Sequence, residues 1–346
     1  MSLLFENDDF SFVDHRKYIS KAYTSVVASE SKTVSYTISA KLFSIVNNKN
    51  DNNRKRNHNS DNFHEETTTV KEKYERFIQR LPLDIKENVL KYKLLDTSNV
   101  RDLAHKLFES TVFDFSGLSG GNNSGVPLKC RVKDNDFLMP PHSRFYCGSI
   151  KEQCQKLEGS KFDIVVADPP WWNKYIRRLK SANDKLSYSM MYNEDIAAIP
   201  VKELLSENCL IAVWCTNAPS NIAAVKELIF PKWGVEYVAT WYWLKVTVDL
   251  KPICAFGSGC KKQPYERIIL GRVGDIKDIP DCHLIVSVPS ALHSHKPPLL
   301  DILSPLVKTE SLQILELFAR YLLPNTTSVG YEPLKWQHLS LFEEIT

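Results

Sequence analysis

The sequence lacks three features that would each define a class of protein. Its eight cysteines are scattered over 346 residues and include no CxxC pair, so they indicate neither a disulfide framework nor a standard zinc site. No apolar run is long enough to span a bilayer. The first residues form a short apolar piece followed by acidic side chains, unlike a secretory signal. These absences predict an intracellular chain with reduced thiols, no bound metal and no membrane contact.

An excess of charge of one sign is also missing. The 44 lysine and arginine residues nearly balance 41 acidic residues, which leaves a net charge of +3. A balance this close identifies no nucleic-acid partner, so only local basic clusters could indicate one. The composition, 43% hydrophobic and 11% aromatic, is that of a globular protein with a sizeable core. Because 346 residues exceed one typical domain, we expect a catalytic domain and an accessory region.

A polar segment interrupts the N-terminal third of the chain. Residues 47–62 contain no aliphatic or aromatic side chain, which predicts a disordered linker over residues 47–65. Within it, Arg54-Lys55-Arg56 is either a nuclear-import signal or, more simply, a solvated charge cluster. Strands are expected before this linker and helices after it, including an N-capped helix over residues 98–108. Residues 117–125 are rich in glycine, serine and asparagine, so they predict a flexible boundary between an accessory region at 1–125 and a catalytic domain at 126–346.

Strand-like and helix-like patterns alternate in the second part of the chain. This alternation predicts an α/β fold, with a largely parallel sheet covered by helices. The expected strands are residues 162–167, 210–215, 237–248, 265–271, 284–288 and 312–318. The expected helices are residues 201–205, 219–228 and 298–307.

The sequence Asp168-Pro169-Pro170-Trp171 directly follows the apolar run at 162–167. A buried strand that ends in such a rigid loop places its polar groups at the carboxyl edge of the sheet, where ligands bind in α/β proteins. The Asp168 carboxylate and the Pro169 carbonyl could each accept a hydrogen bond from an exocyclic amine of adenine, with Pro170 fixing the carbonyl direction. Trp171 could stack on the base. The simpler alternative is a tight turn after a strand, which the combination of two prolines and an aromatic residue makes the weaker interpretation.

A basic run follows this motif without interruption. Trp172 and the next eight residues include four cations around an aromatic side chain, a pattern suited to phosphates beside a flipped base. The alternative is a solvated loop. The candidate substrate-binding residues here are Trp172, Asn173, Lys174, Arg177, Arg178 and Lys180.

These motifs and their order resemble the adenosine N6-methyltransferase family that includes the catalytic subunit of the mRNA methylase. The resemblance covers residues 145–337, and the alanine in LFAR and the LKWQH sequence at 334–338 are most similar to the methyltransferase-like protein 4 branch. Besides the catalytic motif it rests on IAVWCTN at 211–217, WLKVT at 243–247, PYERIILG at 264–271, HSHKP at 293–297 and LELFAR at 315–320.

The resemblance implies a Rossmann-like methyltransferase domain that uses S-adenosylmethionine. It places Lys296 at the methionine carboxylate of the cofactor and Arg320 at its ribose, and it adds Lys245 to the substrate site. Ser149 stands where relatives have an acidic residue, and Tyr331 where they have asparagine; an amide's paired donor and acceptor are lost at the second position. The full set of cofactor-binding residues implied is Ser149, Ile150, Asp168, Lys296, Glu316, Phe318, Arg320, Tyr331 and Glu332.

The implied reaction is methyl transfer to the N6 amine of adenosine in RNA. The branch resemblance implies an internal 2′-O-methyladenosine of U2 small nuclear RNA, a nuclear location with the cytoplasm as a second compartment, and a monomer that acts without an obligate partner. DNA adenine is the alternative substrate. A catalytically inactive scaffold that binds nucleic acid is the alternative class, which the substitutions at Ser149 and Tyr331 favour and the intact Asp168 opposes.

Overall fold

A computed structural model of the chain describes residues 2–29, 32–45, 61–90, 102–103, 106, 115–172, 190–257, 263–309 and 311–345. The strands in these ranges are β1 Leu3–Glu6, β2 Phe10–Val13, β3 Val26–Ser29, β4 Lys32–Ile38, β5 Ser119–Asn122, β6 Leu128–Val132, β7 Asn135–Met139, β8 Ser143–Cys147, β9 Phe162–Ala167, β10 Leu205–Cys215, β11 Glu236–Lys245, β12 Tyr265–Val273, β13 Leu284–Ser287, β14 Ile314–Leu317, β15 Thr326–Gly330 and β16 Phe342–Ile345.

The helices are shorter and lie mostly between strands. The α-helices are α1 His15–Lys21, α2 Asp61–Arg80, α3 Leu83–Leu90, α4 Ile150–Lys156, α5 Asn193–Ala197, α6 Pro219–Ala224, α7 Phe230–Trp233 and α8 Leu300–Leu303. A π-helical turn at Val225–Ile229 joins α6 to α7, and 3₁₀ turns lie at Ala40–Phe43, Lys202–Leu204, Ser304–Leu306, Lys335–Gln337 and Leu339–Leu341. No helix in the described ranges combines the length and the apolar character needed to cross a bilayer.

The main sheet has eleven described strands in the order β1-β2-β13-β11-β12-β10-β9-β14-β15-β8-β5. Its centre is parallel from β10 through β9, β14 and β15 to β8. Strand β12 runs antiparallel to both of its neighbours, β10 and β11. The expected α/β architecture is therefore confirmed, although β8 and β15, two strands of the parallel core, were not among the expected strands.

Strand β9 forms because its side chains are apolar on both faces. Ile164 and Val166 pack into one core of the protein, and Val165 and Ala167 pack into the core on the opposite face. A strand buried on both sides needs such a continuous apolar run, and it belongs at the centre of a parallel sheet. The sequence that follows Ala167 therefore begins at the carboxyl end of a central strand.

The N-terminal region is built into the same sheet. Strand β2 pairs in parallel with β13, and Phe10 and Phe12 are fully or almost fully buried. A second sheet, in the order β16-β4-β3-β6-β7, also combines strands from before and after residue 125. The boundary expected at residue 125 therefore does not coincide with a break between sheets.

Two segments differ from the sequence expectation. Helix α2 begins at Asp61, so its first turns occupy the end of the stretch 47–65 that composition assigned to a disordered linker. Residues 119–122, within the expected flexible boundary, form β5 against β8. A Cβ atom on Gly121 would lie 2.2 Å from the Ser143 carbonyl oxygen, so glycine serves close strand pairing here rather than flexibility. The helix expected at 98–108 lies mostly outside the described residues.

Candidate active site

Asp168 emerges at the centre of the main sheet, after β9. Ala167 is in register with Val213 of β10 on one side and with Leu317 of β14 on the other. The chain continues from β9 to β10 in one direction and from β14 to β15 in the other. This divergence is a topological switch point, which opens a crevice at the carboxyl ends of the strands.

The carboxylate of Asp168 lies between two cations from distant parts of the chain. Arg320 donates from Nη1 to Oδ2 at 2.6 Å, and Nζ of Lys296 lies 3.5 Å from Oδ1. The Asp168 side chain is 15% exposed, so it is largely shielded but still reachable from the crevice. Asp168, Lys296 and Arg320, to which the resemblance gave roles in catalysis and cofactor binding, therefore lie next to one another.

A chain of alternating charges continues from Lys296 along the sheet edge. Nζ of Lys296 lies 2.8 Å from Oε2 of Glu266, and the other oxygen of Glu266 accepts from Lys245. Burial opposes ionisation of Glu266, but the two lysines prevail and lower its pKa to about 2. Burial alone would lower the pKa of Lys296, yet Asp168 and Glu266 raise it above its ordinary value. Burial lowers the pKa of Lys245 in spite of Glu266.

The loop itself is held by main-chain bonds. The Trp171 N–H donates to the Pro169 carbonyl at 2.8 Å, and the Met191 N–H donates to the Pro170 carbonyl at 2.9 Å. The Pro169 oxygen therefore already accepts one bond, and its second lone pair is what remains for a substrate amine.

Trp171 does not offer a face to a base, contrary to the sequence expectation. Its ring is 6% exposed and packs in the core with Val213, and its indole N–H donates to the Trp214 carbonyl at 2.9 Å. The residue anchors the catalytic loop to β10. An exposed aromatic side chain nearby is Tyr192, which stacks on Trp172.

A small crevice beside the motif is lined by Arg320, the partner of Asp168, and by residues close to it in the chain or in the sheet; five of the lining residues matter here. They are Pro170, Phe318, Arg320, Tyr331 and Glu332, and the crevice encloses about 30 Å³. Phe318 has a positive φ of 63°, a conformation rare for a side chain of this size and frequent at functional sites. Glu332 is buried and binds Lys335 at 2.7 Å, a contact that no sequence motif indicated.

Ser149 and Ile150 lie at the neighbouring strand end. Gly148 donates its N–H to the Gly330 carbonyl at 2.8 Å, which joins the start of α4 to the end of β15. Ser149 and Ile150, both among the cofactor-binding residues implied by the resemblance, thus come close to Tyr331 and Glu332, although they line no part of the 30 Å³ crevice.

Glu316 is not among the residues that line the crevice. It is in register with Ser328 of β15, and each of these two side chains has a buried oxygen without a hydrogen-bond partner among the described residues. Burial, with a smaller contribution from Asp168, raises the pKa of Glu316 to about 8. A buried acid of this kind is neutral near pH 7, and its direct contact with a cofactor remains a prediction.

The residues of the site fit S-adenosylmethionine by their chemistry. Lys296 is a buried cation suited to the methionine carboxylate, and Arg320 and Asp168 offer donors and acceptors to ribose hydroxyls. Phe318 and Tyr331, which line the crevice, carry apolar rings that would suit the adenine ring of the cofactor. The substrate candidates Asn173, Lys174, Arg177, Arg178 and Lys180 lie outside the described residues, and Lys245 is engaged by Glu266.

The fold and site define a Rossmann-like methyltransferase domain, because a parallel sheet presents a carboxylate and two cations at its switch point, where ligands bind in open α/β sheets. Residues 162–332 match the MT-A70 family. The chain therefore carries a domain of the MT-A70 family, whose methyltransferases depend on S-adenosylmethionine.

Three relatives indicate the range of substrates named within this family. The chain is 39% identical to the human N(6)-adenine-specific methyltransferase METTL4 over 234 residues, 64% of this chain and 48% of that protein. It is 39% identical to a DNA N6-methyl methyltransferase of Caenorhabditis elegans over 60% of this chain and 55% of that protein. It is 37% identical to the N6-methyladenosine RNA methyltransferase MTA1 of Cryphonectria parasitica over 58% of this chain and 60% of that protein. The matches with METTL4 and the C. elegans protein thus span about half of each relative's length.

Proposed function

We propose that the protein transfers a methyl group from S-adenosylmethionine to the N6 amine of adenine in nucleic acid. The observation that carries this proposal is the position of Asp168 at the switch point of an MT-A70 domain, within 3.5 Å of Lys296 and 2.6 Å of Arg320. The similar proteins named for adenine N6 methylation support the same reaction.

Asp168 acts on the amine through a hydrogen bond. The lone pair of an exocyclic adenine amine is delocalised into the ring, so the nitrogen is a weak nucleophile until an acceptor draws its N–H out of the ring plane. The Asp168 carboxylate accepts one N–H, and the second lone pair of the Pro169 carbonyl accepts the other. The bound cofactor supplies an electrophilic sulfonium methyl, and the rate then depends mainly on how well these acceptors position the amine.

Lys296 and Arg320 keep the carboxylate in place. An uncompensated carboxylate would be costly in a site this shielded, and each cation holds one of its oxygens. Glu266 in turn fixes Lys296 from the other side at 2.8 Å. The resulting chain of charges leaves little freedom for Asp168 to rotate away from the amine.

The preferred substrate in this proposal is RNA, and within it an internal 2′-O-methyladenosine of U2 small nuclear RNA. The support is the resemblance of LFAR and LKWQH to the methyltransferase-like protein 4 branch and the basic sequence after Trp172. DNA is the second candidate because a relative at 39% identity carries that substrate in its name. The chain works in this proposal as a monomer in the nucleus.

Transfer of a labelled methyl group to matched oligonucleotides tests the proposal. One RNA, the same RNA with 2′-O-methyladenosine at the target, and one DNA of the same sequence would be compared. The expected order of kcat/KM is the modified RNA first, then RNA, then DNA. Asp168→Asn keeps the shape and one acceptor oxygen but loses the charge, and it should lower kcat by about 100-fold or more.

The inactive-scaffold alternative gives a different outcome. Calorimetric titration should show S-adenosylmethionine binding to the wild-type protein and weaker binding to Lys296→Met, which removes the charge and keeps the apolar stem. Binding of oligonucleotides together with no detectable cofactor binding would favour a scaffold and end the enzymatic interpretation.

A further inference from the structure

The side chains of Trp172 and Tyr192 stack on each other beside the catalytic motif. Their ring centroids lie 5.9 Å apart at an interplanar angle of 19°. Tyr192 is 58% exposed, which makes it one of the few large apolar side chains that the described residues leave open to solvent. We call this pair the aromatic ledge.

The backbone holds the aromatic ledge rigidly to the catalytic loop. Trp171 and Met191 form a parallel β-bridge, and the Trp172 N–H donates to the Met191 carbonyl at 3.1 Å. Because successive side chains of an extended segment point to opposite sides, Trp171 enters the core while Trp172 faces outward. Tyr192, one residue after Met191, faces outward beside it.

The aromatic ledge lies outside the crevice next to Asp168. The crevice is lined by Pro170 and Met191 but by neither ring of the pair. Trp172 is four positions after Asp168, so the two α-carbons are at most about 14 Å apart. A nucleotide whose base reaches Asp168 therefore has a neighbouring nucleotide within reach of the ledge.

We propose that the aromatic ledge binds the base adjacent to the target adenine in a single-stranded nucleic acid. This inference rests on the proposed function. The two nearly parallel rings leave one outer face exposed, and a third flat ring can stack on it. Every nucleic-acid base is a flat ring of this kind. The chain that leaves Trp172 carries four cations within eight residues in the sequence, which matches the charge of the attached phosphates.

A structural role explains the aromatic ledge less well. Tyr192 does not belong to either of the two cores that flank β9, and an exposed ring gains little from burial. Stacking also recognises a base without reading its hydrogen-bonding edge, so the ledge increases affinity for single strands with little sequence preference.

The test combines a protein variant with a substrate that lacks one base. Wild-type protein, Tyr192→Ala, Tyr192→Phe and Tyr237→Ala would be assayed with an RNA that contains the target adenine. The same RNA with an abasic nucleotide on the 5′ or the 3′ side of the target would be assayed in parallel. Tyr237 is the control because it lies at the start of β11, three strands away from β9 in the sheet order, with its ring against Lys226.

The expected result is a coupled loss. An abasic nucleotide on one side raises KM about tenfold with little change in kcat, and Tyr192→Ala raises it by the same factor. With Tyr192→Ala the two RNAs become equivalent, while Tyr192→Phe and Tyr237→Ala behave like wild type. If the losses from the abasic nucleotide and from Tyr192→Ala multiply instead, the ledge does not bind that base and the proposal is overturned.

Binding measurements separate this proposal from the enzymatic one. Fluorescence anisotropy of the same labelled RNAs reports the coupling without any methyl transfer. If no substrate is methylated but the coupling in binding is observed, the proposed function is refuted and the ledge is still a base-binding site. If methyl transfer occurs but wild type and Tyr192→Ala bind the RNA equally well, only the proposal for the ledge is refuted.

Discussion

The carboxylate of Glu66 in α2 binds the guanidinium group of Arg267 in β12. Nε of Arg267 donates to Oε2 of Glu66 at 3.1 Å, and Nη2 contacts Oε1. Nη1 donates to Oδ1 of Asn217 at 2.6 Å, in the loop after β10. A helix from the N-terminal region is therefore connected, through one arginine, to a loop at the catalytic edge of the sheet.

Removing the charge of Glu66 should destabilise the protein. The Arg267 side chain is 1% exposed, and a buried cation that loses its carboxylate weakens a fold by about 3 kcal/mol. We expect Glu66→Gln to lower the free energy of unfolding in urea by about that amount. Glu65→Gln, at an exposed position on the same helix, is the control, and an equal effect of both variants would contradict the prediction.

Replacing Glu266 should weaken the protein in a pH-dependent manner. The folded-state pKa of about 2 lies below the ordinary value of 4.5, so the ionised carboxylate stabilises the fold above pH 4.5 and this contribution is lost as the pH falls towards 2. Glu266→Gln should lower the free energy of unfolding at pH 7 by about 2–3 kcal/mol. Denaturation at pH 7, 4 and 3 should show the difference from wild type shrinking below pH 4.5; a constant difference would argue against this assignment.

Replacing Glu316 should have the opposite effect and stabilise the protein at neutral pH. Its pKa rises from 4.5 to about 8 on folding, so the protein must keep bound a proton that the unfolded chain releases above pH 4.5. The resulting loss of stability grows between pH 4.5 and 8 and is constant above that. Glu316→Gln should therefore increase the free energy of unfolding by about 2 kcal/mol at pH 7 and leave it almost unchanged at pH 4.

Calorimetry on the same variant tests the role implied by resemblance. If Glu316 contacts the cofactor, Glu316→Gln should bind S-adenosylmethionine more weakly although it is more stable. The exposed Glu236→Gln serves as the matched variant without a buried carboxyl. A variant that is less stable than wild type at pH 7 would show that Glu316 is ionised in the folded protein.

Trp171→Phe should separate loop anchoring from base binding. The substitution keeps most of the buried ring but removes the indole donor to the Trp214 carbonyl at 2.9 Å. We expect the free energy of unfolding to fall by about 1–2 kcal/mol because that carbonyl loses its donor. Oligonucleotide binding measured by anisotropy should be unchanged, whereas a large loss of binding would restore the base-stacking role expected from the sequence.

The central part of the fold could be predicted because its signals are local. Every residue of the run at 162–167 except Asp163 is apolar, so both faces of the strand can be buried. The run forms β9 with the expected bounds. Strands β8 and β15 were missed because they are short and contain residues such as Arg144, Thr327 and Ser328, which weaken the apolar pattern. Their assignment depends on parallel pairing with neighbours far away in the sequence.

Part of the site could also be predicted from local sequence motifs. Asp168, Lys296 and Arg320 stand in recognisable motifs, and the fold brings them together. The contact of Glu66 with Arg267 joins residues separated by 201 positions, and no local pattern reports such a pairing. The inward direction of Trp171 could not be predicted either, since it is set by the bridge to Met191, which lies 20 positions further along the sequence.

The parallel pairing of β2 with β13 limits how the catalytic region can be isolated. A fragment that starts at residue 126 would lack β1, β2 and β5 and leave β13 as the outermost strand, with the buried Leu284 and Val286 beside open backbone groups. His283 would also lose the Ser11 hydroxyl, 2.8 Å from its Nε2. Such an unprotected apolar edge is a template for intermolecular strand addition, so the fragment should aggregate where the full chain remains dispersed.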